Sequence, residues 1–125
     1  MNNMKIGLSY ESNTLVTETN TAEALGSGDM AVFATPAMVA LMENAAMLAV
    51  KDSLPEGSTT VGVEMLTSHV KASALGANIT ASATLVEVDS RRLTFDVKAW
   101  DDKGVIGEGR HVRFVVDRER FLSKL

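Results

Sequence analysis

The chain has 125 residues, 46% of them apolar and 22% charged, with a formal net charge of −4. That length suits a single domain spanning 1–125 with one core. The acidic balance speaks against nucleic acid as a partner, the absence of cysteine excludes disulfides and a thiolate nucleophile, and two histidines are too few for a His-rich metal site.

The charge is uneven. Residues 1–85 hold three basic and eight acidic side chains, whereas 86–125 hold nine and eight. An anionic ligand is therefore expected to meet the C-terminal part, although a solvated face of paired charges explains the pattern equally well. The N-terminus has no long apolar core, so a cytoplasmic protein without a targeting signal is expected.

In chain order, residues 5–17 alternate, with Ile6, Leu8 and Tyr10 apolar, and predict a first strand ending near Val16. Residues 18–34 are polar and then Gly-rich. Asn20 to Glu23 predicts a short helical turn that Gly26 stops, and Gly26 and Gly28 make the segment a candidate lid. Thr35 to Val50 is the organising stretch. Thr35 is a candidate N-cap, Pro36 suits the first helical position, and nearly every residue from Ala37 onward is apolar. The run is shorter than the roughly 20 residues of a membrane span and has Glu43 and Asn44 at its middle. It predicts a buried helix carrying a carboxylate that needs a partner or a chemical task.

Leu54 to Gly57 predicts a turn, and four strands follow. Thr59 to Lys71 would place Val61, Val63, Met65, Thr67 and His69 on one face. Ala77 to Leu85 alternates cleanly. Arg92 to Trp100 would turn Leu93, Phe95, Val97 and Ala99 inward, and Val105 to Val116 would turn Val112, Phe114 and Val116 inward. Hairpin signals fall at Asp89 to Arg91 and at Asp101 to Gly104, and Asp117 suits the cap of a last helical turn. The pattern is α+β: one long buried helix wrapped by an antiparallel sheet of about five strands.

Several stretches carry a resemblance. They are Val32 through Glu43 (VFATPAMVALME), Gly62 with His69 seven residues on, Arg91 through Phe95 (RRLTF), and Ile106 through His111 (IGEGRH). In order and spacing these resemble the fluoroacetyl-CoA thioesterase branch of the hot dog fold. The resemblance implies an acyl-CoA thioester hydrolase, a homodimer or higher homo-oligomer with sites between subunits. CoA would be part of the substrate, and neither a cofactor nor a metal would be needed. It implies Thr35, Glu43 and His69 as catalytic residues, Gly62 near the thioester, and Phe33 and Pro36 beside the substrate. The fluoroacetyl-specific enzyme has an aromatic lid before the helix. This chain keeps only Phe33 there, so a less closed pocket is expected, with residues 1–34 setting acyl selectivity.

Each residue also has a plainer role when taken alone. Glu43 suits a packing carboxylate paired with an arginine, Thr35 an N-cap, and His69 a strand-end histidine bonded to backbone. His111 is read as structural or exposed. A glutamate in apolar surroundings, a histidine and a helix N-terminus together suit thioester hydrolysis. A silent acyl-binding or dimerisation module and an enoyl-CoA hydratase on the same fold are the alternatives.

Overall fold

The computed structural model describes residues 4–125. Strand β1 (Ser9–Leu15) is followed by a short helix α1 (Ala22–Leu25) and the long helix α2 (Thr35–Val50). Strands β2 (Ser58–Thr67), β3 (Asn78–Asp89), β4 (Arg92–Asp101) and β5 (Gly104–Asp117) follow, and α3 (Arg118–Ser123) ends the chain. All strand pairs are antiparallel, in the order β1-β3-β4-β5-β2. The helix thus leaves one sheet edge, crosses beneath the sheet and delivers the chain to the other edge.

The expected turns form. Thr21 caps α1, and Gly26 ends it in the left-handed region at φ 75°. Asp117 Oδ1 accepts from the Arg120 N–H and caps α3. Strands β3 and β4 alternate as their sequence predicts: Ile79, Ala81, Ala83 and Leu85 are fully buried, as are Leu93, Phe95 and Ala99. Burying such a strip against a helix is the main source of stability here. Asn44, polar and mid-helix, accepts a 2.7 Å hydrogen bond from the Ser12 hydroxyl of β1.

Four expectations are corrected. Ile6 and Tyr10 are exposed, and Ser12 supplies the buried position of β1. Strand β2 ends at Thr67, so His69 lies just beyond it. A bulge between Gly62 and Glu64 switches the alternation of β2. Thr60 and Gly62 face α2 before it, Met65 and Thr67 lie on the inner side after it, and Val63 is exposed. An extra residue in one strand does this because side chains alternate with a period of two. In β5 Val112 is buried as expected, but Phe114 is exposed, and His111, Arg113 and Val115 on the other parity are buried.

The helix is buried along one stripe only: Met38, Met42, Ala45, Ala46 and Val50. Its other flank, with Val39, Ala40, Glu43 and Met47, is open or partly open in a single chain. Gly107 and Gly109 permit close approach. A side chain at Gly107 would meet the Met38 sulfur at 2.9 Å and collide with the Ser68 carbonyl, and one at Gly109 would collide with Leu66. Among the described residues, no helix is long and apolar enough to cross a membrane.

Candidate active site

Thr35 does not cap the helix. Ala34 holds the N-cap position, and no side chain makes a capping bond there. The extended segment before it is fixed by backbone bonds from Phe33 N to Ser73 O and from Ala34 N to Asn20 O. This starts the helix at Thr35 and releases its hydroxyl. Thr35 Oγ1 lies 2.7 Å from His69 Nδ1. The other ring nitrogen of His69, Nε2, is buried without a partner among the described residues. Burial holds the His69 imidazole below its ordinary pKa, against a raising contribution from the Lys71 backbone. A neutral ring near pH 7 can therefore accept a proton there.

This pair opens into a cavity of about 260 Å³ that Phe33, Val32 and Ser27 also line. Phe33 is only 2% exposed and forms the wall from the core side. Pro36 does not line this cavity; it occupies the first turn of α2, where its missing N–H costs nothing.

The segment carrying His69 is tied down by Asp101. Ser73 Oγ donates to Asp101 Oδ2 at 2.8 Å, the Lys103 N–H donates to Oδ1 at 2.9 Å, and Lys71 Nζ is 3.6 Å away. Burial alone would raise the Asp101 pKa. The Ser73 hydroxyl, the Lys103 N–H and Lys71 outweigh it and hold the carboxyl below its usual value. A depressed folded-state pKa contributes stability that is present above the unfolded value, about 3.9, and is lost as pH falls further. Asp101→Ala is expected to cost about 2 kcal/mol at pH 7, from lost bonds to a charged acceptor. In thermal melts the gap from wild type should stay constant above about pH 4 and shrink below it.

Glu43 lies elsewhere. Eight residues of helix separate it from Thr35, about 12 Å along the axis. Its side chain is 41% exposed, so the deeply buried carboxylate expected from the sequence is not found in a single chain. Oε2 is 3.9 Å from both His111 Nε2 and Arg113 Nη1. Gly62 faces it: a Cβ built there would stand 2.6 Å from Oε2. A side chain at that position would displace the carboxylate.

The candidates thus fall into two half-sites, Thr35 with His69 and Glu43 with Gly62. His111, expected to be structural or exposed, is buried against Glu43, and Arg113 was not anticipated. The available signal was alternation in β5. His111, Arg113 and Val115 share one face, and the charge that Glu43 needs is on it. Among the described residues, no cluster of three His, Asp or Glu side chains could hold a metal ion.

A five-stranded antiparallel sheet curled about one central helix defines the hot dog class, and a thioesterase superfamily member from Thermus thermophilus shares it. That chain superposes with a TM-score of 0.91 at 24% identity, covering 99% of this chain and 92% of its own. The sequence model of the fluoroacetyl-CoA-specific thioesterase FlK matches residues 16–119, and the chain belongs to that family. It is 38% identical over 94 residues to the fluoroacetyl-CoA thioesterase of Streptantibioticus cattleyicolor, covering 75% of this chain and 68% of that protein. A crystal structure of a single-residue mutant of FlK in complex with fluoroacetate and CoA superposes with a TM-score of 0.88. It is 32% identical and covers 94% of this chain and 99% of its own.

Proposed function

We propose that the protein hydrolyses small acyl-CoA thioesters at a site completed by two subunits. One supplies Thr35 and His69, and the other supplies Glu43 and Gly62. Glu43 takes a proton from the attacking water, and the new C–O bond forms at the thioester carbonyl. The open N-terminus of α2 offers N–H groups and a positive dipole end to the oxyanion. The C–S bond then breaks, and the proton that Glu43 took from water passes through His69 Nε2 to the departing CoA sulfur, leaving Glu43 ionised and the imidazole neutral as they began. Thr35 fixes the imidazole through Nδ1. CoA is part of the substrate, and the reaction needs no further cofactor. The cysteine-free chain suits a cytoplasmic setting.

The observation that carries this reading is the Thr35–His69 contact with Nε2 left unpartnered, in a member of this thioesterase family. The two-subunit form is supported by the sheet edge. β2 is an edge strand, and Val63, Leu66 and Val70 on and just past it are exposed. A long apolar edge is a liability that pairing with a second copy removes.

A panel of acetyl-, fluoroacetyl- and longer acyl-CoAs tests it by release of free thiol. We expect turnover of several short acyl groups without exclusive preference for fluoroacetyl, because residues 24–32 contain no aromatic side chain. Binding without thiol release across the panel would identify a silent acyl-binding module. Loss of enoyl absorbance without thiol release would identify a hydratase.

A further inference from the structure

We propose that Asp101 is a positioning residue for the Thr35–His69 pair and acts on it through Ser73. The kinetic part of the proposal rests on the thioesterase reading; the geometric part stands without it. Asp101 ends β4, at the turn into β5, and its side chain is only 3% exposed. A carboxylate at that depth is costly unless its oxygens are used. Oδ1 accepts from the Lys103 N–H of its own turn, and Lys71 Nζ stands 3.6 Å from the same oxygen. Oδ2 accepts from the Ser73 hydroxyl at 2.8 Å. The first bond shapes the turn. The other two contacts hold the connection between β2 and β3, which carries His69.

The two members of the pair reach their contact by different routes. His69 is fixed to β5. Ser68 and Val70, on either side of it, donate their N–H groups to the carbonyls of Glu108 at 3.1 Å and Ile106 at 2.7 Å. Thr35 arrives at the start of α2. The extended segment before it joins the His69 connection at Ser73, whose carbonyl accepts from Phe33 N at 3.0 Å, and at the bridge between Val32 and Ala74.

Ser73 therefore bonds in two directions. Its hydroxyl is pinned to the sheet by Asp101, and its carbonyl holds the segment that delivers Thr35. The residue is 2% exposed, which leaves water little access to either bond. A hydrogen bond to an ionised acceptor is roughly twice as strong as one between neutral groups. Asp101 is thus a charged anchor at the point where the two halves of the pair are joined. What it sets is a distance. Should Ser73 shift, His69 stays with β5 while Thr35, two residues from Phe33, follows that segment. The 2.7 Å contact between Oγ1 and Nδ1 then opens.

Asp101→Ala removes the anchor. Its kcat is expected to fall on the order of 10²-fold, the scale of a group misplaced by about 1 Å, with KM within about threefold. Ser73→Ala, which removes only the hydroxyl, should lose part of that factor. Asp101→Asn keeps the shape, and the Ser73 hydroxyl can turn to accept from the amide, so it should recover most of the loss. In a Thr35→Ala background, Asp101→Ala should cost little more, since it acts through Thr35. A merely structural residue would cost the same factor in both backgrounds, and that result would overturn the proposal, as would wild-type kcat in Asp101→Ala. Should Asp101→Ala not fold, Ser73→Ala decides: kcat at the wild-type level sinks the idea. If the wild-type protein hydrolyses nothing in the panel, the thioesterase reading fails separately. Crystal structures of wild type and Ser73→Ala then provide the test. The contact between Thr35 Oγ1 and His69 Nδ1 should open in the variant while His69 stays against β5, and an unchanged contact would refute the anchoring by Asp101.

Discussion

Glu43→Gln is expected to melt close to wild type and to lose roughly 10²-fold or more of its thioesterase rate, the usual size of a lost general base. The stability half of this follows from Arg113. A carboxylate that neutralises a buried arginine leaves about 3–5 kcal/mol of damage when its charge is removed. Here Thr60 and His111 already accept from the guanidinium, and the Glu43 side chain is 41% exposed. The activity half follows from chemistry. An amide of the same shape occupies the Gly62 cleft but cannot take a proton from water. Steady-state kinetics on the best acyl-CoA and a thermal melt check both. A protein that melts normally and works at the wild-type rate would remove Glu43 from the mechanism. One that melts many degrees lower would make it a structural partner instead.

Mixing two inactive chains is expected to restore activity. One chain carries Thr35→Ala and His69→Ala, and the other carries Glu43→Gln. Each homodimer has both of its sites damaged and is expected to be slower than wild type by roughly 10²-fold or more. If the half-sites join across a two-fold axis, a mixed dimer holds one site with every damaged residue and one with none. The mixed dimer then returns about half of the wild-type activity, far above either mutant alone. Co-expression with two affinity tags and assay of the doubly purified species measures it. Activity no higher than the sum of the separate mutants would mean that each site lies within one chain. The basis is the distance: about 12 Å of helix separates Thr35 from Glu43, too far for both to act on one carbonyl carbon from the same chain.

Much of the fold was legible because its signals are local. The alternation of Ala77 to Leu85, the apolar run after Pro36 and the turn at Asp101 to Gly104 each concern a few neighbouring residues, and each forms as read. The resemblance named Thr35, Glu43, Gly62 and His69 as candidates, and the structure adds that Thr35 meets His69 and Glu43 faces Gly62. What the sequence did not reveal is set by non-local partners. A bulge at Val63 depends on how β2 meets β5, and nothing in Thr59 to Lys71 by itself marks it. The Thr35 hydroxyl is indistinguishable from a capping group until the Phe33–Ser73 bond fixes where the helix begins. His111 and Arg113 look like surface polar residues of a half-exposed strand until the inward parity of β5 is known.

The strand order also governs when the site can come into being. β3, β4 and β5 are joined by short turns and can zip as neighbours. β2 must instead reach past them to β5, pairing Ser58 with Asp117, and β1 must reach β3, pairing Ser9 with Thr84. Long-range closures of this kind are slow, because chain entropy is lost before contacts compensate for it. During synthesis Glu43 leaves the ribosome long before His111 and Arg113. The most apolar segment of the chain, the helix itself, therefore waits without its sheet. The interval before β5 arrives is when its apolar helix is most exposed to aggregation.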